Sequence, residues 1–351
     1  MLAPVTHIIP LTTIIRPRML PTAGTIQVRS GDKVAPADVV AETTIAREHI
    51  LIDVAHALGV PSARADPLIK CTRGDKVPKN AVLASGGGVI PRSVRAPREG
   101  RVVAVGGGQV MLEVGETLFE LRAGYPGFVA QILENRGVVI QSTGALIQGI
   151  WGNGRMDFGL MLNLAELPDH VLAPSEVDVS LRGSIILGGH VGDEKVFRNA
   201  AELPVRGMIL GSMAPSLVPL ALQMKFPVLV VEGLGKREMN AAAHKLLTTN
   251  AKRDVAINAE PFDRYTGTRP EVVIQLPVNQ EPPLPRDLES FAPGQIVRLL
   301  RNPRLGAVGT IETVRSIPVI LPNGLKTNCA DVRLESNELL IVPLANLEVL
   351  G

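Results

Sequence analysis

Cysteine is nearly missing: 351 residues hold two, Cys71 and Cys329. Two thiols so far apart exclude a zinc cluster and a disulfide framework, and fit a reducing compartment. Aromatic residues make up 3% of the chain, with one tryptophan. A surface of stacked rings for single-stranded nucleic acid is therefore not expected, and the cores must be built from Val, Ile, Leu and Ala. A dominant charge is missing too. The formal net charge is +2, so no global field draws polyanions. No apolar run reaches the ~18 residues of a membrane helix. The apolar N-terminus is cut by Pro4, Pro10 and Pro17 and has no basic segment ahead of it, so it is not read as a signal peptide. These absences point to a cytoplasmic protein that makes no membrane contact.

Complete catalytic motifs are also lacking. GLGKRE at 233–238 matches neither the dinucleotide fingerprint nor the phosphate loop. His190 has no GxSxG elbow to serve. The sequence points to no cofactor and no metal site.

What is present is ample core material, 46% apolar, over a length fit for two to four domains. The expected fold is multidomain and mostly β, with a central α/β three-layer domain. Residues 1–20 read as an extended arm that pairs at a sheet edge or packs on a neighbour, because proline discourages helix. Residues 21–122 read as β. The tetrapeptide GDKV stands at 31–34 and again at 74–77, each time followed by proline and an apolar strand. Between the copies, HILIDVAHAL (49–58) has helical spacing, stopped by Gly59 and Pro61. Residues 123–180 read as a hairpin-rich module, with breaks at Asn135-Arg136-Gly137, Thr143-Gly144 and Gly152-Asn153-Gly154. Asn153-Gly154 is a hairpin signal, and Trp151 beside it reads as a core plug or edge cover.

From 181 to 280, short β-branched runs alternate with helix-period runs, the pattern of βαβ units around a parallel sheet of Rossmann-like or flavodoxin-like type. Val205–Leu210 and Pro227–Val231 are apolar almost throughout, as strands covered on both faces are. Pro215 and Pro219 either start or kink the following helix. Residues 281–290 form a Pro-rich, semi-rigid linker, and 291–351 are again β, with a hairpin turn at Asn323-Gly324.

Two segments resemble known families. GDKV at 74–77, Val82-Leu83-Ala84, and Ala96-Pro97 with Gly100 and Val102 resemble the biotinyl/lipoyl-like barrel-sandwich hybrid. Carrier members of that family bear a modifiable lysine at the hairpin tip; here Gly86, Gly87, Gly88, Val89 and Ile90 occupy it. The resemblance therefore implies the fold without lipoyl or biotin attachment. Gly294, Val297, Arg298, Leu300, Pro303, Gly306, Gly309 and Ile311 resemble a KOW-type SH3-like barrel of NusG-like and ribosomal proteins, with Asn302 where the family usually has glycine. That resemblance implies binding of RNA or protein.

Candidate sites follow. Parallel strands would place His190, Ser212 and Glu232 at their carboxyl ends, where open α/β sheets bind ligands. Gly188, Gly189, Gly211, Gly233 and Gly235, with Lys236 and Arg237, are candidates for holding an anion there. Nucleic-acid or partner contact falls to Arg298, Arg301, Arg304 and Lys326, and to Arg92, Arg95, Arg98 and Arg101. The last four lie in a stretch, 64–101, with nine basic and three acidic residues. The favoured function is a non-catalytic binding or scaffold protein of a cytoplasmic assembly, touching protein or nucleoprotein through the C-terminal module. The alternatives are an enzyme or phospho-carrier, with His190 as nucleophile or base, and a self-assembling homo-oligomeric subunit.

Overall fold

The computed structural model describes residues 2–86, 92–263, 265, 267–278, 280 and 282–351, apart from the side chain of Arg47. Strands take 48% of the chain and helices 14%. Gly87, Gly88, Val89 and Ile90, the expected hairpin tip, lie outside the described residues.

The N-terminal β part is organised by one long antiparallel pair, Val39–Asp53 with Gln109–Arg122. Its inward residues Val110, Leu112 and Val114 alternate with half-exposed ones and meet Val54, Leu58, Leu83 and Val102 in one core. This pairing overrides the helical spacing of HILIDVAHAL. Ile50 and Ile52 stand opposite Leu112 and Val110 on the strand, and only Val54–Leu58 turn helical. The Asp53 carboxylate accepts the His56 N–H at 2.9 Å to start that turn, and Gly59 ends it in the left-handed region.

The two GDKV copies build one turn twice. Gly31 and Gly74 take φ of 91° and 100°. Asp32 and Asp75 each accept a backbone N–H from three residues back, Arg29 and Thr72, at 2.8 Å. Their carbonyls accept from Val129 and Val102 across the turn, both at 2.9 Å. The same turn recurs at Gly294-Gln295. There the Gln295 side-chain amide oxygen accepts the Ala292 N–H at 2.9 Å, and its carbonyl accepts from Ile311 at 2.9 Å.

The central sheet has 11 strands. Met156–Asn163, Ile185–Val191, Gly207–Met213 and Val228–Leu234 run parallel in that spatial order. Alternate residues divide between two cores. Ile185, Leu187, Ile209, Leu229 and Val231 pack with Ala243 and Leu247 of the helix Ala241–Thr249. Ile186, Met208, Leu210, Val228 and Val230 pack with Phe197 of Glu194–Glu202 and Ala221 of Val218–Gln223. Helices on both faces explain why Ile185–Leu187, Met208–Leu210 and Val228–Val231 are unbroken apolar runs. Pro219 sits in the first turn of Val218–Gln223, where its missing N–H costs nothing.

The sheet does not stop at residue 180. Met156–Asn163 pairs antiparallel with Asp254–Asn258, which pairs with Glu271–Gln275, which pairs with Gly137–Gln148. Thr143-Gly144 is no break: Gly144 lies inside Gly137–Gln148, where a side chain would strike the Ile274 carbonyl. Asn153-Gly154 turns the chain without closing a hairpin. Trp151 pairs with Val230 on one side, while Met156 pairs with Asn258 on the other. The buried Asn153 side chain fixes this corner, donating to the Ala221 and Phe226 carbonyls and accepting the Val228 N–H at 2.9–3.1 Å.

The first residues are extended and paired. Ile8–Met19 pairs along Gly137–Gln148, and Leu2–Thr6 sits between Leu288–Ser290 and Leu347–Leu350 in a seven-stranded C-terminal sheet. The Pro-rich stretch is held as well. The Thr12 and Thr13 hydroxyls donate to the carbonyls of Pro283 and Pro282 at 2.8 and 2.6 Å. Leu350 and Val308 of the C-terminal sheet pack on the same core as Ile185 and Leu187. That contact brings the C-terminal sheet alongside the parallel strands. Among the described residues, no helix is long and apolar enough to cross a membrane.

Candidate functional site: a cleft at the rim of the parallel strands

Strand register delivers the first two groups. His190 lies beside Ser212, and Ser212 beside Gly233. The Ser212 hydroxyl oxygen has three neighbours: the Arg237 carbonyl at 2.7 Å, the Arg237 N–H at 3.1 Å and His190 Nδ1 at 2.9 Å. A carbonyl only accepts, so the single hydroxyl proton goes to Arg237. His190 Nδ1 must then carry its own proton and donate to Ser212. Burial, and secondarily the charge of Lys236, lower the His190 pKa from its ordinary value. That shift favours the neutral ring, in which an Nδ1 proton leaves Nε2 as the acceptor.

Glu232 is 2% exposed and fully engaged. One carboxylate oxygen accepts the backbone N–H of Asn240 at 3.0 Å and also its side-chain amide. The other stands 3.1 Å from Nη2 of Arg298. Asn240 in turn caps the helix Ala241–Thr249, its side-chain oxygen accepting the Ala243 N–H at 2.9 Å. Arg298 also faces Glu348 at 3.7 Å, and Glu348 meets Arg269 at 3.0 Å and the Thr6 hydroxyl. Two cations and two carboxylates balance in this buried cluster. No Arg298 nitrogen makes an aligned hydrogen bond despite those distances, so charge rather than direction holds it. At 1% exposure, Arg298 is not available to nucleic acid or to a partner. Its strand face is covered by the parallel-sheet rim, a correction to its reading as a contact residue.

Between the rim and the C-terminal sheet lies a cleft of about 820 Å³. His190, Glu232, Lys236, Arg237, Glu238, Met239, Asn240 and Asp169 line one wall; Arg304, Leu305, Gly306, Ala307, Val308 and Glu335 line the other. A side chain at Gly306 would overlap the Arg237 guanidinium, so glycine there makes room for it. Arg304 is tied to Glu338 at 2.8 Å. The side chains of Lys236 and Arg237 have no hydrogen-bond or ion-pair partner among the described residues. The cleft thus holds two uncommitted cations, the His190 imidazole, and the carboxylates of Asp169, Glu238 and Glu335, which likewise have no side-chain partner among the described residues. No group of three His, Cys, Asp or Glu among the described residues is placed to hold a metal.

The expected rim residues His190, Glu232, Lys236 and Arg237 all line this cleft, with Ser212 behind His190. The glycines do not. Gly188 and Gly189 are strand residues packed against Leu172 and His170, and Gly211 against Met239. Gly233 and Gly235 take φ of 107° and 97° and turn the chain. Packing at Gly188, Gly189 and Gly211, and positive φ at Gly233 and Gly235, account for glycine at these positions. Of the remaining basic candidates, Arg98 pairs with Glu48 and Arg101 with Glu113 at 2.7 Å, and Arg95 donates to the Asn80 carbonyl at 2.9 Å. Arg92, Arg301 and Lys326 are exposed. Sequence reasoning missed Asp169, Asn240, Gly306 and Glu335. An asparagine just before the helical run 241–249 is an N-cap signal; Gly306 stands out only as a barrel turn, and nothing local marks Asp169 or Glu335. No protein-family model matches this chain, and no curated protein does.

Proposed function

We propose that the chain is a binding protein whose rim cleft takes a small anionic ligand, a phosphate ester or a carboxylate, without breaking a bond in it. The observation that carries this reading is the meeting of Lys236 and Arg237, both uncommitted, with the neutral His190 in one cleft. Guanidinium and ammonium groups facing a partly enclosed space favour an anion. Binding is preferred over catalysis because the two groups placed with His190 in the expected constellation, Ser212 and Glu232, are already engaged. The Ser212 proton belongs to a backbone carbonyl and the Glu232 carboxylate to Asn240 and Arg298. In the same reading, the flanking modules at 21–122 and 291–351 follow the barrel-sandwich and KOW patterns and serve as frame, the latter supplying the second wall.

Calorimetric titration with inorganic phosphate, sulfate and short carboxylates tests this. Saturable binding of at least one anion is expected, weakened about tenfold or more by Lys236→Ala with Arg237→Ala. Binding that these substitutions leave untouched would overturn the reading.

A further inference from the structure

The geometry points to a ligand that carries a hydroxyl or N–H donor beside its anionic group, the donor being received by Nε2 of His190. This rests on the anion-cleft reading above and narrows it. The Ser212 hydroxyl cannot serve both the Arg237 carbonyl and His190, so Nδ1 holds the ring proton and Nε2 is bare. No described residue bonds Nε2, yet it is not among the buried unpaired atoms, so solvent reaches it. Gly192 keeps that edge open: a side chain there would bring its first carbon 3.3 Å from Nε2. Gly192 itself is exposed and outside the left-handed region, so a small side chain is tolerated by the backbone.

A plain anion satisfies Lys236 and Arg237 but leaves Nε2 stripped of water and unanswered. A ligand with a neighbouring hydroxyl answers it. Sites built to bond a ligand hydroxyl discriminate strongly against analogues lacking it, because the protein group is then left unpaired.

The test compares glycerol 3-phosphate with propyl phosphate, which differ only in hydroxyls, by calorimetry on the full chain. Glycerol 3-phosphate is expected to bind about tenfold tighter or more. Gly192→Val, which keeps the imidazole, should collapse that ratio toward one while leaving propyl phosphate affinity within about twofold. His190→Phe should do the same if it folds. Nitrogen-proton correlation spectra of the imidazole should place the proton on Nδ1. Equal binding of the two phosphates, or a proton on Nε2, overturns the donor inference and leaves the anion cleft standing. Binding of neither overturns both.

Discussion

The stretch 64–101 and the cleft rim both bear cations, and they differ in how those cations are placed. Arg98 and Arg101 are closed onto Glu48 and Glu113, and Arg95 onto a carbonyl. Lys236 and Arg237 are attached to nothing described. The basic stretch is richer in charge, and Arg64, Lys70, Arg73, Lys76, Lys79 and Arg92 have no side-chain partner among the described residues; what sets the rim apart is that its two unpaired cations share one cleft. A third state completes the contrast: Arg298, sealed between Glu232 and Glu348, is structural.

The sharpest break in that contrast is Arg298→Ala. It leaves the buried Glu232 without its cation, while Glu348 keeps Arg269, and losing one partner of a buried pair costs about 3–5 kcal/mol. Urea unfolding should show it, while the exposed Arg98→Ala should stay within about 1 kcal/mol. Equal effects would mean that burial is not what separates them.

Next in size is the ligand effect. Lys236→Ala and Arg237→Ala should each weaken anion affinity about tenfold, about 1.4 kcal/mol, with unfolding midpoints unchanged. Arg95→Ala and Arg101→Ala should leave affinity as it is, measured in the same titration.

The third expectation concerns pH. His190 has a pKa below its ordinary value of 6.5, through burial and then Lys236. Asp169, Glu232, Glu238 and Arg237 line the same cleft. A base that loses proton affinity on folding stabilises the fold fully above 6.5. That contribution declines as pH falls from 6.5 through the folded value. The preference for a donor-bearing ligand should vanish over the same descent, as Nε2 gains a proton, and His190→Phe should flatten the profile. Phosphate itself protonates in this range, so propyl phosphate is the control for the ligand's own titration.

Smallest are the turns. Asp32→Ala and Asp75→Ala each remove an acceptor for one backbone N–H, worth about 1 kcal/mol. The two should match, and Gln295→Ala should cost about the same, since its side chain makes the equivalent bond.

The parallel strands were legible because burial on both faces leaves an unbroken apolar signature, as in Ile185–Leu187 and Val228–Val231. The rim groups were legible with them, since His190 and Ser212 follow from strand direction alone. Other features turn on long-range pairing, which local pattern does not carry. Ile50 and Ile52 fit a helix until Val110 and Leu112 lie opposite. Thr12 and Thr13 read as part of an extended arm, and only the fold shows that they meet the proline carbonyls. Arg298 alternates with Val297 and Leu299 as a solvent-facing residue would, and only the packing of the rim against its strand buries it. The lone carboxylate in VLVVEGL was a usable hint: a buried glutamate requires a cation. The third turn copy escaped notice because Gln295 replaces the aspartate.

The most direct measurement is a nitrogen-proton correlation titration of the full chain with inorganic phosphate. The resonances of Gly192, Lys236, Arg237 and Gly306 are expected to move together and to saturate at one concentration. Absence of any saturable shift at these four residues, or shifts confined to Arg92–Arg101, would contradict an anion cleft at the rim.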